Sequence, residues 1–216
     1  MRPIPCPSTH AVLPPRLCGG VEHYVRAWGA ESYSTDWSRP FDKREKGTHR
    51  FTIADTRGRL DLTVPIAKPH TSRCAWDSIG VSTHGAWWDV HRVALESAYG
   101  RTPYFEFYID RFLPLLTAGV TERFPLLAHL AGAWETEIAD ILGLTLLDRP
   151  REGYPIMPDY SADIQPYRQV RADRLGFIPG LSVLDFCEAV ACGTESAKDM
   201  RGEFPPEHYS FHLSSC

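Results

Sequence analysis

Residues 50–66 read RFTIADTRGRLDLTVPI. From Leu60 onward, Leu60, Leu62, Val64 and Ile66 alternate with Asp61, Thr63 and Pro65, so an extended chain turns one face apolar and the other polar. The preceding RFTIAD reads as a partner strand, and Gly58 supplies the turn between them. The pattern predicts an antiparallel hairpin from Arg50 to Ile66. Pro65 cannot donate to a ladder and belongs where no donor is needed. Helical patterns lie on both sides of this hairpin. Together they predict an α/β or α+β fold, a small mixed sheet with the hairpin in it, covered by three to four helices.

Upstream, VEHYVRAW places Val21, Tyr24, Val25 and Trp28 at helical spacing after Gly19 and Gly20. Residues 1–16 read as an extended lead-in. Downstream, SIGVS is a strand signal, and Trp87, Val90, Ala94 and Ala98 recur at a helical interval until Gly100. Thr102 and Pro103 offer an N-cap and a first-turn proline for the next helix. Its inner face is predicted as Phe105, Tyr108, Ile109, Phe112, Leu115 and Leu116, and both Phe105 and Phe107 are assigned to the core. A third helix is expected from Thr121 to Gly143. Beyond a proline-rich joint at 148–166, YRQVR reads as a short strand, and Ser182 starts a helix that stops at Gly193.

At 216 residues, with 43% hydrophobic and 23% charged content, the chain suits one sizeable core, a single domain over residues 1–216. The formal charge of −4 argues against a dedicated nucleic-acid binder, which needs a dense cationic face. No run of apolar residues is long enough to span a membrane, and the proline-broken start is no signal peptide, so a cytoplasmic location is expected. Cys6, Cys18, Cys74, Cys187, Cys192 and Cys216 form no CxxC pair and read as reduced thiols.

Three blocks resemble the WbqC-like protein family: LDLTVPI at 60–66, WDVHRVALESAYGRTPYFEFY at 88–108 and YRQVRADRLGFIPGLSVLD at 167–185. The resemblance covers roughly residues 11–200. It implies a bacterial protein of surface-polysaccharide (O-antigen) biosynthesis, with acyl or aminoacyl (glycyl) transfer to an amino sugar as the implied reaction. The family's recurrent positions fall at Arg50, His91, Glu96, Ser97, Ala98, Tyr99, Pro103, Tyr104, Phe105, Tyr167, Gln169, Phe177, Pro179, Ser182 and Asp185. The chain departs from the family at LPPRLCGGVEHYV, where a Pro-aromatic-Pro block is usual, and at His49-Arg50, where Asn-Arg is usual.

The chemistry of these residues defines an expected site. Arg50, with Arg44 in the modestly basic SRPFDKREKGTHR segment, offers planar forks for phosphate oxygens, although a solvated strand edge explains the same charges. His91 is the candidate proton carrier, with Glu96 and Tyr99 completing the catalytic set, although a helix histidine bonded to a carbonyl is the structural alternative. Glu96 lies too far round the helix to touch His91 and pairs with Arg92 instead. Tyr104, Tyr167, Gln169 and Ser182 are the remaining substrate-binding candidates. Ser182 and Asp185 also read as a capping box. The expected partner is a small molecule, a nucleotide-linked or amino sugar, and no cofactor or metal is required. The tail set His208, His212 and Cys216 has metal-ligand spacing but reads as a frayed terminus. The rival reading is a noncatalytic sugar-binding or accessory protein built from the same residues.

Overall fold

In a computed structural model, residues 9–42, 44–45, 47–67, 74–150, 152–154, 156 and 166–190 are described. Two small sheets and seven helices form an α/β or α+β arrangement. The hairpin is present: β3 (Arg50–Asp55) pairs antiparallel with β4 (Gly58–Thr63), with Phe51 opposite Leu62 on the apolar face and Thr52 opposite Asp61 on the polar one. The turn is tightened by the Arg57 amide donating to the Asp55 carboxylate at 2.7 Å. Gly58 sits at φ 126°, a conformation that favours glycine.

The lead-in carries a strand of its own. β1 (Ala11–Leu13) runs parallel to β2 (Tyr33–Thr35), and α1 (Val21–Trp28) crosses between them. The Tyr33 amide donates to Thr145 O at 2.9 Å and Tyr33 O accepts from the Leu147 amide at 2.7 Å, so residues 145–147 extend this sheet.

α2 (Trp87–Tyr99) buries Trp87, His91, Leu95, Ala98 and Tyr99. Of the apolar set at helical interval, Trp87 and Ala98 lie inward whereas Val90 is 64% exposed, and a histidine takes an inward position. Gly100 follows the last turn, its amide donating to Glu96 O at 2.9 Å, and a Cβ there would stand 2.4 Å from that oxygen. α3 (Phe105–Phe112) starts later than the Thr102 cap predicts, and Phe107, assigned to the core, is 74% exposed because it falls on the outer side of that helix.

The expected helix from Thr121 to Gly143 is two helices, α4 (Val120–Arg123) and α5 (Leu127–Ile141). Pro125 drives its neighbour Phe124 out of helical geometry, to ψ 73°. The freed backbone pairs with the SIGVS segment, Val81 N donating to Pro125 O at 2.9 Å and Leu127 N to Ile79 O at 2.8 Å. SIGVS thus makes isolated bridges rather than a strand.

On α5, Leu127, Leu130, Trp134, Ile138 and Ile141 point inward. The Trp134 ring stacks on Phe112 at 4.6 Å and leans on Phe51 at 5.5 Å, tying α5 to α3 and the hairpin. YRQVR forms no strand. α6 (Ala172–Leu175) follows it, and α7 (Val183–Val190) closes the described chain. Cys18 and Cys187 are buried and Cys74 is partly buried, whereas Cys6, Cys192, Cys216, His208 and His212 lie outside the described residues.

Candidate functional site

The sequence-predicted residues fall into separate neighbourhoods. Arg50 donates from Nε to Thr63 Oγ1 at 3.0 Å and faces Asp61 at 3.4 Å on the half-exposed side of the hairpin. His91, 2% exposed, donates from Nε2 to Thr63 O at 3.2 Å, and the Phe51 and Trp87 rings pack edge-on around it. Its Nδ1 is buried without a hydrogen-bond partner, and burial pushes the imidazole down to about 4. A ring so placed is neutral at physiological pH. Glu96 pairs with Arg92 at 2.8 Å, as its spacing predicts. Arg44 is bound at 2.8 Å to Asp42, which its fork holds down to about 2.

A second group gathers where α7 meets the outer edge of β3. The Ser182 amide donates to Thr52 O at 2.7 Å, and the Tyr99 hydroxyl stands 3.5 Å from the Ala54 amide while donating to Asp185 at 3.1 Å. The other Asp185 oxygen accepts from the Val170 amide at 3.3 Å. Asp185 is therefore committed to Tyr99 and the 170 turn. Ser182 Oγ makes no capping bond but lies beside the Cys18 thiol, whose burial pushes it far up. The capping-box reading is thus replaced by tertiary contacts. Burial raises Asp185 to about 6 and Glu188 to about 7.

Gln169 brackets Ile178 with two bonds, Nε2 to Ile178 O at 2.7 Å and the Ile178 amide to Oε1 at 2.9 Å. Its side chain holds a loop shut. The Tyr167 ring packs edge-on against Phe177 and Phe186. Tyr104, half-buried, precedes the first turn of α3. Among the described residues these contacts build a scaffold, and they do not open Arg50, His91 and Tyr99 onto a common hollow.

A different place has the form of a small-molecule site. A cleft of about 380 Å³ lies between α5, the chain after β2, the short helical turn at Trp76–Ser78 and residues 146–148. That volume lies within the range of small-ligand sites. Its polar lining is Thr35, Asp77, His129, Glu135, Thr136 and Asp148, and Trp37 provides an aromatic wall. The Asp77 amide donates to Trp37 O at 3.2 Å and so fixes the wall to the turn. Ala128 and Gly132 form a low floor, where a Cβ on Gly132 would stand 3.8 Å from Trp37 Cζ2.

Glu135 is the chemically distinctive group. It is buried, accepts from Tyr24 at 2.8 Å and Tyr33 at 2.7 Å, and is raised by burial to about 7 even though both phenols pull it the other way. A carboxyl poised near neutrality can take or give a proton under physiological conditions. Thr35 Oγ1, also buried, has no hydrogen-bond partner. A buried hydroxyl left unsatisfied is rare and marks a place for another polar group.

The sequence did hold a signal for this cleft. In LAHLAGAWETE, residues 127–137, Glu135 follows Ala128 and Ala131 on an otherwise apolar stripe of the helix. A carboxylate at an inward position demands partners. Thr35 and Trp37 had no comparable mark, because only the parallel pairing of β2 brings them to α5. Among the described residues, no group of three His, Cys, Asp or Glu is placed to hold a metal ion, and no helix is long and apolar enough to cross a membrane.

The family model described as the WbqC-like protein family matches residues 40–149, half of the 216-residue chain, and the chain belongs to that family. The match takes in the hairpin and α2 to α5, while the block at 167–185 lies beyond it. No curated protein and no solved structure matches the chain.

Proposed function

We propose that this WbqC-like protein acts in surface-polysaccharide biosynthesis by transferring an acyl or aminoacyl group to an amino sugar held in the Thr35–Trp37–Glu135 cleft. The observation that carries this reading is the carboxyl of Glu135, raised to about 7 at the back of a cleft walled by Trp37. Tryptophan offers a flat apolar surface to a sugar ring, and the polar lining meets its hydroxyls. The sugar's amine nitrogen bonds to the carbonyl carbon of an activated acyl donor, such as a thioester. The bond to the donor's leaving group breaks with its electron pair. The ammonium proton passes to Glu135 and from there to the leaving group. His91, Tyr99 and Arg50 support the scaffold on which this chemistry rests.

The test is a mass-spectrometric assay of full-length protein with an amino sugar and an acyl thioester. Amide formation is expected, falling at least about 100-fold in Glu135→Gln, the usual range for loss of a general base. His91→Phe should keep turnover per folded molecule. Binding of the sugar without any product from the wild type would overturn the transferase reading in favour of a noncatalytic sugar-binding protein.

A further inference from the structure

We infer that the cleft sorts ligands by charge: it seats a ligand's cationic amine and keeps a phosphate outside. This inference rests on the sugar site proposed above and adds to it which end of the ligand enters. Two carboxylates, Asp77 and Asp148, stand exposed at the rim, and the Glu135 carboxyl stands at the back. No lysine or arginine is among the described residues that line it. His129 is the one basic group among those residues, against three carboxyls, and a predominantly negative field set against low-dielectric walls attracts an ammonium ion and repels a phosphate carrying one to two negative charges.

Two further features favour a cation. The Trp37 indole is half-buried at the wall, where its ring face can receive an ammonium group. The unpartnered Thr35 hydroxyl, buried beside Glu135 in the lining, can accept an N–H bond from the same group. If the acceptor is nucleotide-linked, its diphosphate must therefore lie outside this cleft.

The experiment is isothermal titration of the full-length protein at pH 7 and low ionic strength with glucosamine, glucose, glucose 1-phosphate and cyclohexylammonium. Glucosamine should bind about tenfold more tightly than glucose, the gain from one charge-assisted bond, and glucose 1-phosphate more weakly than glucose. Both gaps should shrink in Asp148→Asn and Asp77→Asn, whose side chains are exposed and leave the core untouched. Glucosamine binding no more tightly than glucose, or glucose 1-phosphate binding as tightly as glucosamine, would overturn the charge inference while leaving a sugar site in place. Cyclohexylammonium matching glucosamine would support charge sorting but remove the sugar reading. Binding by none of the four would overturn both.

Discussion

Arg50 and His91 bond to the two oxygens of one residue, Thr63: the guanidinium Nε lies 3.0 Å from its hydroxyl and the imidazole Nε2 lies 3.2 Å from its carbonyl. The first group is half-exposed and the second sealed, so one threonine ties the outer and inner faces of the hairpin to α2. The imidazole titrates at about 4 in the folded protein and near 6.5 when unfolded. Between those values the unfolded chain binds the extra proton. His91 therefore costs no stability above pH 6.5 and up to about 3 kcal/mol as pH falls to 4. Urea unfolding of His91→Phe should show a shallower loss across that range than the wild type, and equal slopes would contradict the assignment.

Glu135 has the opposite sign. Its carboxyl holds a proton to about pH 7 when folded but loses it near 4.5 when unfolded. Its contribution to stability is complete below pH 4.5 and disappears as pH rises through 7. Glu135→Gln, which cannot ionise, should remove this decline between pH 5 and 8, read as the dependence of the urea midpoint on pH.

Tyr99 joins three elements through one oxygen, donating to Asp185 at 3.1 Å and standing 3.5 Å from the Ala54 amide. Tyr99→Phe keeps the ring but strips Asp185 of a donor in a buried setting. A loss of about 1–3 kcal/mol is expected, the usual result of leaving a buried polar group unsatisfied. Thermal denaturation measures it, and no change would mean that water replaces the hydroxyl.

Thr102 has one hydroxyl proton and two acceptors in reach, Tyr99 O at 2.8 Å and Glu188 Oε2 at 2.6 Å. Both contacts are satisfied when Glu188, raised to about 7, keeps its own proton and donates to the threonine. Thr102→Val should therefore destabilise by about 1–2 kcal/mol at pH 6. The difference should widen at pH 8, where Glu188 ionises and the threonine hydroxyl donates to its carboxylate, the stronger bond. A pH-independent difference would rule that arrangement out.

Two phenylalanines on one helix should behave unequally. Phe107, on the outer side of α3, should tolerate Ser within about 0.5 kcal/mol, whereas Phe112→Ala removes the ring stacked on Trp134 and should cost about 3–5 kcal/mol. Equal effects on the melting temperature would show that the helix is rotated.

Local patterns made the hairpin, α1 and the existence of α2 legible, because alternation and helical spacing are properties of neighbouring residues. The inner face of α2 was legible only in part. Val90 is the better apolar residue, yet His91 lies inward because Thr63 O offers its Nε2 a partner. The break at Pro125 was readable in hindsight, but SIGVS, which accepts its freed backbone, lies far off in sequence. The site followed the same rule. Arg50, His91 and Tyr99 were singled out by the resemblance, and the structure gives each a bonding partner within the scaffold. The cleft, by contrast, is assembled by the parallel pairing of β2 with β1 and residues 145–147, and no short motif encodes that pairing.

The phenols that hold Glu135 have a practical consequence. Tyr24 and Tyr33 both lie before the stretch 40–149 that the family model matches, and so do Thr35 and Trp37. A fragment cut to those limits would keep the acidic group and the α5 and 146–148 sides of the cleft but discard both phenols, Thr35 and the Trp37 wall, while β3 would lose the Ser182 amide from its free edge. The diagnostic segment is therefore not a self-sufficient unit, and expression work should retain the flanks on either side.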